Sequence, residues 1–118
     1  MKSSYEDVTP YVTKDGSEIR ELMHPAVHGN RAQSLAEATV QQGMRTALHR
    51  HGAMEEIYYI IRGRGRMTLG ATTFDVKSGD TVCIQPGTPH CIENTGLEAL
   101  RILCACSPAY AHDDTELL

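Results

Sequence analysis

From Ser34 onward the chain reads as short runs of β-favouring residues cut by turn formers, and this texture narrows the fold more than any other feature. The runs are Ser34 to Val40, Ala47 to His51, Glu56 to Arg62, Arg66 to Leu69, Thr72 to Val76, Thr81 to Ile84, His90 to Glu93 and Leu100 to Cys106. Gln42-Gly43, Gly63, Gly70, Ser78-Gly79-Asp80, Pro86-Gly87 and Asn94-Thr95-Gly96 separate nearly all of them. Runs this short, joined by turns this tight, leave no room for a helix of ordinary length. An all-β sandwich or jelly-roll barrel is therefore predicted over residues 34–107. Residues 1–33 are mixed in pattern and predict a peripheral arm, in which Ser17 to Met23 fits either a short strand or a helical turn before His24-Pro25 breaks it. Residues 108–118 carry Asp113, Asp114 and Glu116 and predict a surface strap or frayed end.

A chain of 118 residues supports one hydrophobic core, burying roughly two-thirds of its unfolded surface. An apolar fraction of 41% against 22% charged residues excludes a disordered chain. Trp is absent and Phe occurs once, so the core falls to aliphatic residues, Met and Tyr, and little is available to stack nucleobases. The net charge of −4 likewise argues against a phosphate-binding surface. Arg62, Arg64 and Arg66, interleaved with Gly63 and Gly65, read as a solvated hairpin. No segment approaches the roughly 18 consecutive apolar residues of a membrane span. The N-terminus also lacks the hydrophobic stretch of a secretory signal, so a cytoplasmic protein without a membrane partner is expected. Cys83, Cys91, Cys104 and Cys106 show no paired zinc-site spacing and are expected as reduced thiols. Cys104 and Cys106 share one strand face as small core residues.

The chemistry-bearing residues lie within the β-rich region. His49-Arg50-His51 places two imidazoles on one face of a strand. Glu56 then leads the apolar run Ile57 to Ile61, where an unpaired carboxylate would be costly to bury and a cation would relieve the cost. His90 follows Pro86-Gly87-Thr88-Pro89, a rigid turn that delivers a third imidazole at the start of another β-run. Three imidazoles and a carboxylate suit Fe, Mn, Ni, Co, Cu or Zn rather than Ca or Mg. His24, His28 and His112 have no partners at ligand spacing and are read as exposed or capping residues. Gln33 and Arg45 are candidates for the barrel mouth, and Asn94 reads as a turn former.

Gly43, five residues, His49-x-His51, four residues, Glu56, six residues and Gly63 together resemble the first motif of the cupin superfamily. Gly79, Pro86-Gly87, two residues, His90, three residues and Asn94 resemble the second. One position departs, with Gln85 standing where the second motif usually has proline; the ligand positions do not. Glu56 rather than Glu55 matches the carboxylate because six residues separate it from Gly63, and strand alternation sends Glu55 outward. The same parity turns Tyr58 inward, as either a core residue or a hydroxyl reaching a metal-bound ligand.

The resemblance implies a double-stranded β-helix with one divalent transition metal inside the barrel, held by His49, His51, Glu56 and His90. It also implies a homodimer in which an N-terminal strand packs on the partner. Four protein ligands leave up to two open positions on an octahedral ion. A metalloenzyme acting on a small oxygen-rich metabolite is expected, either a dioxygenase with Fe or an isomerase or lyase with Mn, Ni or Zn, with Tyr58 as the catalytic candidate. The alternative is a binding or sensing module without turnover.

Overall fold

Glycines at turns set the rhythm of the barrel. Gly63, Gly70 and Gly79 take positive φ, of 99°, 59° and 94°, where the chain must reverse in few residues. Between such turns a computed structural model, which describes residues 1–118, places strands β1 (Tyr11–Val12), β2 (Glu18–Met23), β3 (Ser34–Val40), β4 (His49–His51), β5 (Glu55–Arg62) and β6 (Arg64–Leu69). They continue with β7 (Thr72–Lys77), β8 (Thr81–Ile84), β9 (His90–Asn94), β10 (Leu100–Ser107) and β11 (Thr115–Leu117). All pairings are antiparallel. One sheet runs β1-β2-β3-β10-β5-β8 and the other β11-β4-β9-β6-β7.

The two sheets face each other across an aliphatic core, the double-stranded β-helix that the sequence predicts. Ile60, Met67, Ile84, Ile92, Leu100 and Ile102 are almost fully buried; each such side chain contributes about 1.5–3 kcal/mol by leaving water. Strand alternation divides inside from outside cleanly. In β5 Glu56, Tyr58 and Ile60 are buried while Glu55, Ile57 and Tyr59 are exposed. Cys104 and Cys106 are buried on the inward face of β10, and none of the four cysteines is bridged.

At the two ends of the chain the structure selects among the alternatives that the sequence leaves open. Residues 18–23 form a strand, paired with β3 from Glu18↔Thr39 to Met23↔Leu35, so the N-terminal segment extends the first sheet instead of lying peripheral to it. An open β3 edge offers unpaired backbone groups, and pairing satisfies them although the local pattern is weak. His24 then caps the four-residue helix α1 (Pro25–His28), its Nδ1 accepting from the Ala26 N–H. The acidic tail is not frayed: β11 pairs with β4 through Thr115↔His51 and Leu117↔His49. Ala47 lies outside β4, because its N–H donates to the Asp15 carbonyl at 2.8 Å and leaves the sheet ladder.

Candidate metal centre

Three imidazoles meet between β4 and β9. His49 sits directly opposite His90 across the strand pair, and His51 follows on the same face of β4. Ring centroids are 4.1 Å apart for His49 and His90, 5.1 Å for His49 and His51, and 5.2 Å for His51 and His90. One ligand atom from each lies within 4.8 Å of the others, and all three side chains are buried. The Pro86-Gly87 turn that delivers His90 is tied back to β4, the Gly87 N–H donating to the His51 carbonyl at 2.6 Å.

The outer ring nitrogens decide which way the lone pairs point. His49 Nδ1 lies 2.7 Å from the Ala47 carbonyl and His90 Nδ1 lies 2.9 Å from the Thr88 carbonyl. A carbonyl only accepts, so both Nδ1 atoms carry the proton. His51 Nδ1 faces Thr115 Oγ1 at 3.0 Å, and that hydroxyl spends its own proton on the Ala111 carbonyl at 3.1 Å, leaving a lone pair for His51. In the neutral rings every Nε2 is therefore a bare acceptor aimed at the shared interior, the arrangement in which histidine ligates metals.

Glu56 enters from the His51 and His90 side. Its Oε1 lies 3.3 Å from His51 Nε2 and 3.7 Å from His90 Nε2. Both Glu56 Oε1 and His90 Nε2 are buried without a hydrogen-bond partner. Its other oxygen accepts from the Cys106 thiol at 3.4 Å. Asp15, on the turn between β1 and β2, approaches from the opposite partner: its Oδ2 is 3.6 Å from His49 Nε2 while its Oδ1 accepts from the Ser17 N–H and hydroxyl.

Acceptors packed this closely repel unless positive charge lies among them, supplied by protons or by a metal. Burial alone would raise the Glu56 pKa, but in the metal-free site the adjacent His51 and His90 imidazoles, when they carry protons, outweigh it and bring it to about 2. His49 is held below the ordinary histidine value by burial and then by the neighbouring His90 charge. A divalent ion would satisfy the same atoms at once. Ligand distances of about 2.0–2.2 Å put neighbouring donors of one ion roughly 3 Å apart. The residues fit a borderline transition metal.

Tyr58 lines the same cavity and meets the His90 ring edge-on at 6.3 Å. Burial first, and then the Glu56 charge, hold its pKa well above the ordinary tyrosine value, so it presents a neutral O–H. The cavity is small, about 40 Å³, with Asp15, Glu21, Glu56, Tyr58 and Tyr110 among its lining residues. Gln33 and Arg45 are exposed and do not line it. His24, His28 and His112 lie outside the imidazole group, and Asn94 is a turn anchor, donating to the Val40 and Glu98 carbonyls.

Sequence reasoning missed Asp15, Glu21, Thr115 and Asp114. The last holds the loop between β4 and β5, its carboxylate accepting from the Ala53 N–H at 2.9 Å and the Met54 N–H at 3.2 Å. All four lie in the two end segments, where no local motif marks them.

The cupin domain family matches residues 36–106, which contain the three histidines and Glu56. The chain belongs to the cupin family. An uncharacterized protein of Methanocaldococcus jannaschii is 55% identical to this cupin over 118 residues, covering 100% of the chain and 94% of that protein. The oxalate-binding protein of Thermotoga maritima is 33% identical over 86 residues, covering 73% of this chain and 71% of its own. Among solved structures, a predicted oxalate decarboxylase from Thermotoga maritima superposes with a TM-score of 0.79 at 27% identity, covering 92% of this cupin and 99% of that chain. The nucleoside dehydratase Pac13 superposes with a TM-score of 0.80 at 15% identity over 100% of this chain and 90% of its own, a likeness of fold alone.

Proposed function

We propose that this cupin binds one divalent transition metal, Fe, Mn, Ni or Zn, through His49, His51, Glu56 and His90, and uses it to hold and transform a small oxygen-rich anion. The observation that carries the reading is the grouping of three buried imidazoles, two of which turn Nε2 toward a buried Glu56 oxygen that has no hydrogen-bond partner. The ion would supply Lewis acidity and, for a redox metal, oxygen activation. The chain's own residues do the rest. Thr115 and the Ala47 and Thr88 carbonyls orient the imidazoles, and the Tyr58 hydroxyl donates to a ligand oxygen in the cavity. A cavity of about 40 Å³ has room for an ion and a ligand of few heavy atoms. That size admits only the smallest of the hydroxy acids, enols or dicarboxylates, and the reaction is a dioxygenation, an isomerisation or a lyase step.

A second reading, capture of the ligand without turnover, is favoured by the Thermotoga maritima relative whose name records oxalate binding. Partnering is assigned to a second copy of the chain. Leu35, Ile57, Tyr59 and Ile61 are exposed on the outer face of the β3, β10 and β5 sheet, where Ile57 and Leu35 both lie opposite Ala105. Four unbridged thiols suit a reducing, cytoplasmic setting.

The test begins with elemental analysis of tag-free protein purified without added metal. Reconstitution with Fe(II), Mn(II), Ni(II) or Zn(II) follows, then assays of oxygen uptake and product formation with small hydroxy acids, enols and oxalate. One metal per chain is expected, with product formation for the enzyme and saturable binding without product for the capture protein. His51→Ala and His90→Ala are expected to lose the metal and keep the β-sheet circular dichroism. Stoichiometric metal in both variants would sink the assignment.

A further inference from the structure

Two carboxylates outside the proposed ligand set line the cavity, Asp15 and Glu21, and of these Glu21 has a buried oxygen without a partner. It stands on the inward face of β2, in a row that crosses the sheet through Ala36, Cys104 and Tyr58, each directly opposite the next. Its Oε2 accepts from the Tyr11 hydroxyl at 3.2 Å, whereas its Oε1 is buried with no partner. It lines the same cavity as His49, His51 and Glu56. An orphaned carboxylate oxygen in such a wall is costly as an anion, and as an acid it needs an acceptor.

We propose that Glu21 receives the far end of the small anionic ligand, donating a hydrogen bond from its Oε1–H to a ligand oxygen while the near end sits at the metal. The proposal rests on the metal-and-anion reading above and extends it to the residue that selects ligand charge and length. As an ionised group Glu21 would repel an anion; as a neutral acid it holds one. Burial raises its pKa above the ordinary carboxylate value, against the charges of His24 and His112 and the Tyr11 hydrogen bond. The groups around it are Tyr11 of β1, His24 at the end of its own strand, Tyr110 and His112 of the C-terminal segment, and Glu56 of β5.

Protonation that binding requires is lost as the pH rises through the pKa of Glu21, so affinity then falls by about tenfold for each pH unit. Glu21→Gln keeps a neutral donor that cannot ionise, and Glu21→Ala removes the donor. The experiment is calorimetric titration of oxalate into Mn(II)-loaded wild type, E21Q and E21A between pH 5 and 8, with the metal content of each measured beforehand. Expected are full metal in all three, binding by wild type that weakens with rising pH, a flatter profile in E21Q, and about a tenfold or greater loss in E21A at pH 5. Full metal with E21A binding as wild type does, on the same pH profile, would overturn the role of Glu21 alone. Full metal in wild type without oxalate binding would overturn the anion reading and this role together, and loss of metal from wild type would overturn the metal reading beneath both.

Discussion

Replacing Thr115 with valine tests whether the tail strand governs the metal site. Valine keeps the shape and removes the oxygen that accepts from His51 Nδ1 at 3.0 Å and donates to the Ala111 carbonyl at 3.1 Å. The His51 N–H is then buried without a partner, at a cost of about 1–3 kcal/mol. The ring can escape by moving its proton to Nε2, where Glu56 Oε1 waits at 3.3 Å. That tautomer occupies the lone pair the metal needs, so either route lowers metal affinity, by about 10- to 100-fold. Competition against a chromogenic chelator with Zn(II) measures the loss, and Thr115→Ser, which restores the oxygen, is expected within about threefold of wild type. The backbone pairing of β11 with β4 does not involve the side chain, so far-ultraviolet circular dichroism should match. Zinc binding by T115V as tight as by wild type would refute the claim that Thr115 sets the His51 tautomer.

Two further outcomes follow from packing and charge. A Cβ on Gly65 would lie 2.9 Å from the Glu93 carbonyl and 3.0 Å from Leu100 Cδ2, so Gly65→Ala is expected to lose about 1–3 kcal/mol in urea unfolding. Gly96→Ala, whose Cβ would meet its nearest atom at an ordinary 3.5 Å, serves as its control. For the metal-free protein, Glu56 has a pKa lowered from 4.5 to about 2, so the stability it contributes is present above pH 4.5 and is lost as the pH falls toward 2. Glu56→Gln should flatten the corresponding part of a melting-temperature profile against pH, and an unchanged acid limb would contradict the lowered Glu56 pKa.

How much was legible beforehand depended on how local each signal was. Alternation with period two is a property of neighbouring residues, and it placed His49 with His51, and Glu56 with Tyr58, on shared inward faces. Turn formers are equally local, and the expected runs from Ser34 to Cys106 match β3 to β10 with ends shifted by a residue or two at most positions. The ends of the chain carry no such signal. The strand Thr115–Leu117 is three residues of a polar tail, and it exists because β4 offers unpaired backbone groups at a sheet edge.

The sequence by itself determined the barrel, its turns, and the residue types able to bind a transition metal, because each rests on short-range periodicity and side-chain chemistry. Only the tertiary structure decided that Asp15 stands beside His49, that Thr115 orients His51 across 64 residues, and that Glu21 faces the same cavity with one oxygen unpartnered. Those relations follow from which strands pair at the two sheet edges. That choice is made by the free energy of the whole backbone ladder, and no single segment encodes it.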